Sequence, residues 1–158
     1  MPKITPCLWF DTQAEEAATY YTSIFKNSRV TEVAYYGEGG PRPADLALIV
    51  TFELDGQPFS ALNGGPEFTF DEAISFQIDC ADQAECDEYW DRLVGDGGEE
   101  SQCGWVKDRF GVSWQIVPQP VVRLLQDPDK ERAARAMAKL MTMKKIDVAA
   151  IEAAADGR

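Results

Sequence analysis

Apolar and polar positions along this chain keep two rhythms, one of strands and one of helices, and the sequence of rhythms runs through twice. Residues 4–10 are a short apolar run that reads as a strand. Over 13–25, Ala14, Ala17, Ala18, Tyr21, Ile24 and Phe25 recur at helical spacing, and Asp11 or Thr12 stands ready to cap the helix. The β-branched and aromatic stretch 29–36 predicts a strand. A Gly/Pro loop over 37–43 leads to two further strands, 46–54 and 57–63, around the turn dipeptide Asp55-Gly56. Gly64-Gly65-Pro66 then breaks the pattern.

The second pass follows in register. Gln13-Ala14-Glu15 recurs as Gln83-Ala84-Glu85, and at the same offset Ile4 meets Ile74, Leu8 meets Ile78 and Tyr20 meets Trp90. A strand, a capped helix over 81–94, a glycine-rich break over 95–98 and a hairpin over about 102–117 repeat the earlier order. Matching order together with matching faces predicts an internal duplication. The expected fold class is α+β: two βαβββ modules, about 1–66 and about 67–120, within one domain, 1–120. Each module would curl into a half-open sheet with its helix on the outer face. The register assigns Ile4, Leu8, Ile74, Phe76 and Ile78 to the helix side and Thr5, Cys7, Trp9, Ser75 and Gln77 to the concave side. A one-residue slip would push Gln77 under the helix, an expensive burial. Beyond Pro118-Gln119-Pro120, a helical extension over 121–158 is predicted, with Asp129 opening one helix and Ala133, Met137, Leu140 and Met141 forming an apolar stripe. Such a tail must dock on its own core or on a second subunit.

The stretch from Cys103 to Pro118 is the most informative. Val106 and Lys107 lead into Asp108-Arg109-Phe110-Gly111, a turn, and a strand follows in which Trp114 and Ile116 share one face while Ser113, Gln115 and Val117 share the other. Lys107 and Asp108 read as a surface ion pair at this turn. Asp108-Arg109-Phe110-Gly111-Val112-Ser113-Trp114-Gln115-Ile116 resembles the closing hairpin of PhnB-like proteins, a branch of the glyoxalase/bleomycin-resistance/dioxygenase (vicinal oxygen chelate) superfamily. Asn63-Gly64-Gly65-Pro66, Cys103-Gly104-Trp105 and Met143-Lys144-Lys145-Ile146-Asp147 fit the same branch, so the resemblance spans nearly the whole chain. It implies that the two modules form the half-barrel pair of that superfamily. It also implies a homodimer, because similar chains often pair. It does not fix a reaction, since the superfamily hosts isomerases, dioxygenases, epoxide-opening resistance enzymes and plain binders.

Composition narrows the chemistry. The 158 residues, 45% hydrophobic and 11% aromatic, suffice for a core without staples. Fifteen basic against 27 acidic residues leave a net charge of −12, which repels nucleic acid and anionic membrane. The N-terminal Met-Pro-Lys-Ile lacks a signal-peptide core, no run is long enough for a membrane span, and the four cysteines read as reduced thiols, so a cytoplasmic protein is expected. Histidine is absent, which removes the commonest general base and metal ligand together.

By the resemblance, superfamily enzymes hold a divalent metal with His and Glu on the first, fourth, fifth and eighth strands. Those positions fall near Thr5, Asn63, Ser75 and Gln115 here, with Gln115 where the family motif ends in Glu. Neutral amides and hydroxyls are weak ligands for catalytic transition metals, so no metal and no cofactor is expected. What remains is a cavity lined by Thr5, Cys7, Trp9, Asn63, Ser75, Gln77, Cys103, Trp105, Ser113 and Gln115, with Phe59 as a further wall, taking a small aromatic or uncharged molecule. The alternatives are an enzyme of the same superfamily, running through a weakly held metal or through Cys103 activated by Lys107, and a structural dimer with a vestigial cavity. Many PhnB-like proteins carry the label 3-demethylubiquinone 3-methyltransferase. Gly37-Glu38-Gly39-Gly40 precedes Pro41 rather than a helix, so it offers no nucleotide-type turn for methyl transfer.

Overall fold

In the computed structural model, which describes residues 3–158, the unit ending at Thr69 runs β1 (Cys7–Phe10), α1 (Ala14–Ile24), β2 (Arg29–Tyr35), β3 (Ala47–Leu54) and β4 (Gln57–Asn63). The unit Phe70–Arg158 repeats it as β5 (Ser75–Cys80), α2 (Gln83–Val94), β6 (Glu99–Glu100), β7 (Trp105–Lys107) and β8 (Ser113–Pro118). The sheet orders are β1-β4-β3-β2 and β5-β8-β7-β6, with β1–β4 and β5–β8 parallel and the remaining pairs antiparallel. Two βαβββ modules of one topology are therefore present, as the duplicated pattern predicts. β6 escapes sequence reading, because it is two exposed glutamates with no apolar face.

Each helix covers one sheet face. In the first unit Ala14, Ala17, Ala18, Tyr21 and Ile24 of α1 are buried with Leu8, Phe10, Val50, Phe52 and Ala61. The rings of Phe52 and Phe59 stack at 5.5 Å. In the second, Cys86, Trp90 and Leu93 of α2 are buried with Ile78, Val106, Trp114 and Ile116. Leu8 and Ile78 thus lie where the register places them. Ile4 and Ile74 do not: they are 84% and 73% exposed, ahead of their strands. Pro6 has no N–H to extend the β1 ladder, although its carbonyl accepts from Ser60 N at 2.9 Å. Neither Asp11 nor Thr12 caps α1. That role falls to Asn63 at the end of β4, whose Oδ1 accepts from Ala14 N at 2.9 Å.

The tail forms α3 (Gln119–Leu125), α4 (Lys130–Leu140) and α5 (Val148–Ala155), with Asp129 and Asp147 as N-caps. It docks on its own unit. Val121, Leu124, Ala136, Leu140, Ile146, Ile151 and Ala155 make one buried cluster. Cys103 N and Gly104 N donate to the carbonyls of Met143 and Lys144, each at 2.8 Å, and Gln83 bonds the backbone of both Ile146 and Val148. Gly104 sits at φ +85°, and a Cβ there would stand 2.8 Å from Ile146 Cδ1, so the docking seat needs glycine. The stripe is narrower than its sequence pattern: Ala136 and Leu140 are buried, whereas Met137 and Met141 are exposed.

Candidate functional site

In the second module the strand register sets side chains in rows across the sheet face away from α2. One row is Ser75, Ser113, Lys107 and Glu99, and the next is Gln77, Gln115 and Trp105. Alternation puts their sequence neighbours Trp114, Ile116 and Val106 under α2. Gln115 Nε2 donates to Ser75 Oγ at 2.9 Å, and Gln77 Nε2 reaches Gln115 Oε1 at 3.5 Å. Ser75, Gln77, Ser113, Gln115 and Trp105 are thus brought to one face, all uncharged. Ser113 is 2% exposed, and its Oγ has no hydrogen-bond partner. An orphaned buried hydroxyl costs about 1–3 kcal/mol, which marks the spot.

A cleft of about 240 Å³ opens beside Ser113, bounded by Glu72, Glu99, Glu100, Trp105 and Lys107. Lys107 Nζ pairs with Glu72, and this hydrogen-bonded pairing holds the Glu72 carboxyl below the usual carboxylate range and the Lys107 ammonium above its own. Glu100 accepts from Trp90 Nε1 at 3.0 Å. Sequence reading missed Glu72 and Glu99. The available signal was the alternation that places Lys107 on the face of Trp105.

The first module's corresponding face carries Cys7 and Trp9, and register sets Trp9 beside Leu62 and Ile49. Trp9 Nε1 donates to Gly65 O at 2.9 Å, and its ring meets Phe68 edge-on at 4.9 Å. A Cβ on Gly64 would lie 2.4 Å from that ring, so the glycine gives the indole its seat. Thr5 is exposed ahead of β1. Asn63 and Phe59 belong to the helix side. Asn63 is fully buried, with Oδ1 on Ala14 N and Nδ2 donating to Ala47 O, both at 2.9 Å. It caps a helix and has no surface to offer a ligand.

Cys103 is half-buried in a turn at φ +57°, its Sγ 3.7 Å from Met141 Sδ. Lys107 is held by Glu72, and Asp108 makes no surface pair with it. Instead Asp108 is 4% exposed and accepts from Phe110 N, Val112 N and Trp114 Nε1. Among the described residues no group of three or more His, Cys, Asp or Glu is placed to hold a metal ion. No helix among them is long and apolar enough to cross a membrane.

The sequence profile of the family described as 3-demethylubiquinone-9 3-methyltransferase matches residues 2–117. A search of curated proteins gives no match. Among solved structures, a putative 3-demethylubiquinone-9 3-methyltransferase, PhnB protein, from Bacillus cereus is 32% identical, with a TM-score of 0.69 over 74% of this chain and 99% of that one. A protein from Pseudomonas aeruginosa is 20% identical, with a TM-score of 0.61 over 75% and 98%. The genomically encoded fosfomycin resistance protein of Listeria monocytogenes, complexed with Mn(II) and sulfate, is 18% identical, with a TM-score of 0.52 over 73% and 92%. The last two likenesses speak to fold alone.

Proposed function

The chain belongs to the 3-demethylubiquinone-9 3-methyltransferase (PhnB) family of the glyoxalase superfamily, and we propose that it serves there as a metal-free binder of a small aromatic or uncharged molecule. The binding surface is the open face of the second module, with Ser75, Gln77, Ser113 and Gln115 supplying donors and acceptors and Trp105 an apolar wall. The observation that carries this reading is the Gln115–Ser75 hydrogen bond at 2.9 Å. The donors carried over from the superfamily's fifth and eighth strands are neutral here and engage each other. A divalent metal such as the Mn(II) of the Listeria protein does not fit this donor set. Ser75 and Gln115 bring no charge, Asn63 is committed to α1 and Ala47, and Thr5 lies exposed ahead of β1. Neutral oxygens alone hold such ions weakly.

Methyl transfer, named in the family's description, is not the reading we favour. The glycine-rich loop after Tyr35 joins β2 to β3, two strands, and not a strand to a helix N-terminus, where a nucleotide-like donor would be gripped. The same reading has the protein working in the cytoplasm as a homodimer, with the exposed Met137 and Met141 of α4 and its flank as apolar surface for the pairing.

A thermal-shift screen of uncharged aromatic molecules tests the proposal. A ligand at a hundred times its Kd should add about 2.7 kcal/mol to stability. Gln115→Leu should abolish that gain while leaving the free protein folded. An unchanged gain in the variant, or no stabilising molecule across a broad library, would count against the reading.

A further inference from the structure

We propose that the cleft at the β6–β7 edge of the second module binds a small organic cation bearing N–H donors, such as a primary ammonium or an amidinium. The inference goes beyond the neutral site at Ser75 and Gln115, and it stands even if that end of the face binds nothing. Two independent observations carry it. The first is charge: Glu72, Glu99 and Glu100 line the cleft against Lys107 alone. Lys107 is already taken by Glu72, and the Glu99 carboxylate makes no hydrogen bond among the described residues. An anionic ligand would meet an excess of negative charge, whereas a cation could pair with the exposed Glu99 carboxylate, which stands opposite Lys107 in the β6–β7 ladder. The second is Ser113, whose buried Oγ lacks a partner and whose side chain lines the same cleft. A ligand N–H can donate to that oxygen.

The remaining wall selects an organic ion over a metal. Trp105 stands two residues along β7 from Lys107 and so presents its side chain on the same face. An indole attracts an organic cation through the negative face of its π-system. Among the described residues no group of three or more His, Cys, Asp or Glu is placed to hold a metal ion, this cleft included. At about 240 Å³ the cleft lies below the roughly 300–1,000 Å³ of drug-sized sites, which points to a compact ligand.

Benzamidine, with its neutral isostere benzamide and the anion benzoate as controls, tests this on the full chain by amide NMR. The expected result is saturable shifts at Glu99 with benzamidine, accompanied by Ser113 and the Trp105 indole N–H, and none at Glu99 with benzamide or benzoate. Glu99→Gln should weaken binding by about tenfold or more. Ser113→Ala should also weaken it while leaving the melting temperature equal or higher, which separates lost binding from lost folding. Equal shifts at Glu99 with benzamide, no saturable shift at Glu99 with millimolar benzamidine, or full benzamidine affinity in Glu99→Gln would each overturn the inference. The neutral-ligand surface shares Ser113 and Trp105 with this cleft, so that reading is scored on the Ser75 and Gln115 signals and this one on Glu99, and the two fail separately.

Discussion

Asp108→Ala is expected to destabilise the second unit by about 3–5 kcal/mol, enough to unfold a marginal domain. The carboxylate is 4% exposed, and both oxygens are in use. Oδ1 accepts from Phe110 N at 2.8 Å and Val112 N at 3.1 Å, and Oδ2 from the Trp114 indole at 2.9 Å. Alanine removes every acceptor and leaves three donors facing a void. Each orphaned donor costs about 1–3 kcal/mol, reduced where water can enter. Asp108→Asn keeps the shape but turns an amide N–H₂ toward the indole N–H, so a loss of about 2 kcal/mol is expected. Urea unfolding of both variants, followed by near-ultraviolet dichroism at the tryptophans, gives the answer. An alanine variant within about 1 kcal/mol of the parent protein would contradict this role.

Asn63→Ala is expected to cost about 2–4 kcal/mol, through a lost helix cap and a lost buried hydrogen bond. The residue joins three elements: it ends β4, caps α1 at Ala14 N, and donates to Ala47 O at the start of β3. Asn63→Asp should not rescue it, because the second carboxylate oxygen would face the Ala47 carbonyl where a donor is needed. A residue lining a ligand site would behave differently: alanine there would spare stability and alter binding. Chemical denaturation beside the ligand screen separates the two behaviours.

These two residues show what a sequence can and cannot disclose. The duplicated βαβββ order was legible because helix-period and strand-period patterns recur with the same faces, and Asp129 announced its helix by residue type alone. The face of Asn63 was not legible. In Phe59-Ser60-Ala61-Leu62-Asn63 both alternations contain apolar residues, and only the pairing of β4 with β1 and β3 settles which points to α1. Asp108 looked like an ordinary turn residue in Asp-Arg-Phe-Gly. The missed signal was Trp114, since a buried indole N–H needs an acceptor close by. Cys103 could not be read as a left-handed turn residue because it is not glycine, and its geometry follows from docking on Met143.

The motifs behind the family resemblance share one property: much of what they specify is architecture. Asn63 caps a helix, Gly64 seats Trp9, Asp108 ties the last hairpin to Trp114, and Cys103-Gly104 receives Met143-Lys144. They can therefore mark the family without fixing a reaction. Chemistry must be sought among the residues between them, on the open faces of the sheets.

Titrating Mn(II) into nitrogen-15-labelled protein and following paramagnetic broadening of the amide signals puts the proposed loss of metal binding to its most direct trial. Diffuse, unsaturable broadening spread over the acidic surface is the expected outcome, with Ser75 and Gln115 no more affected than their neighbours. Saturable broadening centred on Ser75 and Gln115 at one equivalent of metal would contradict it.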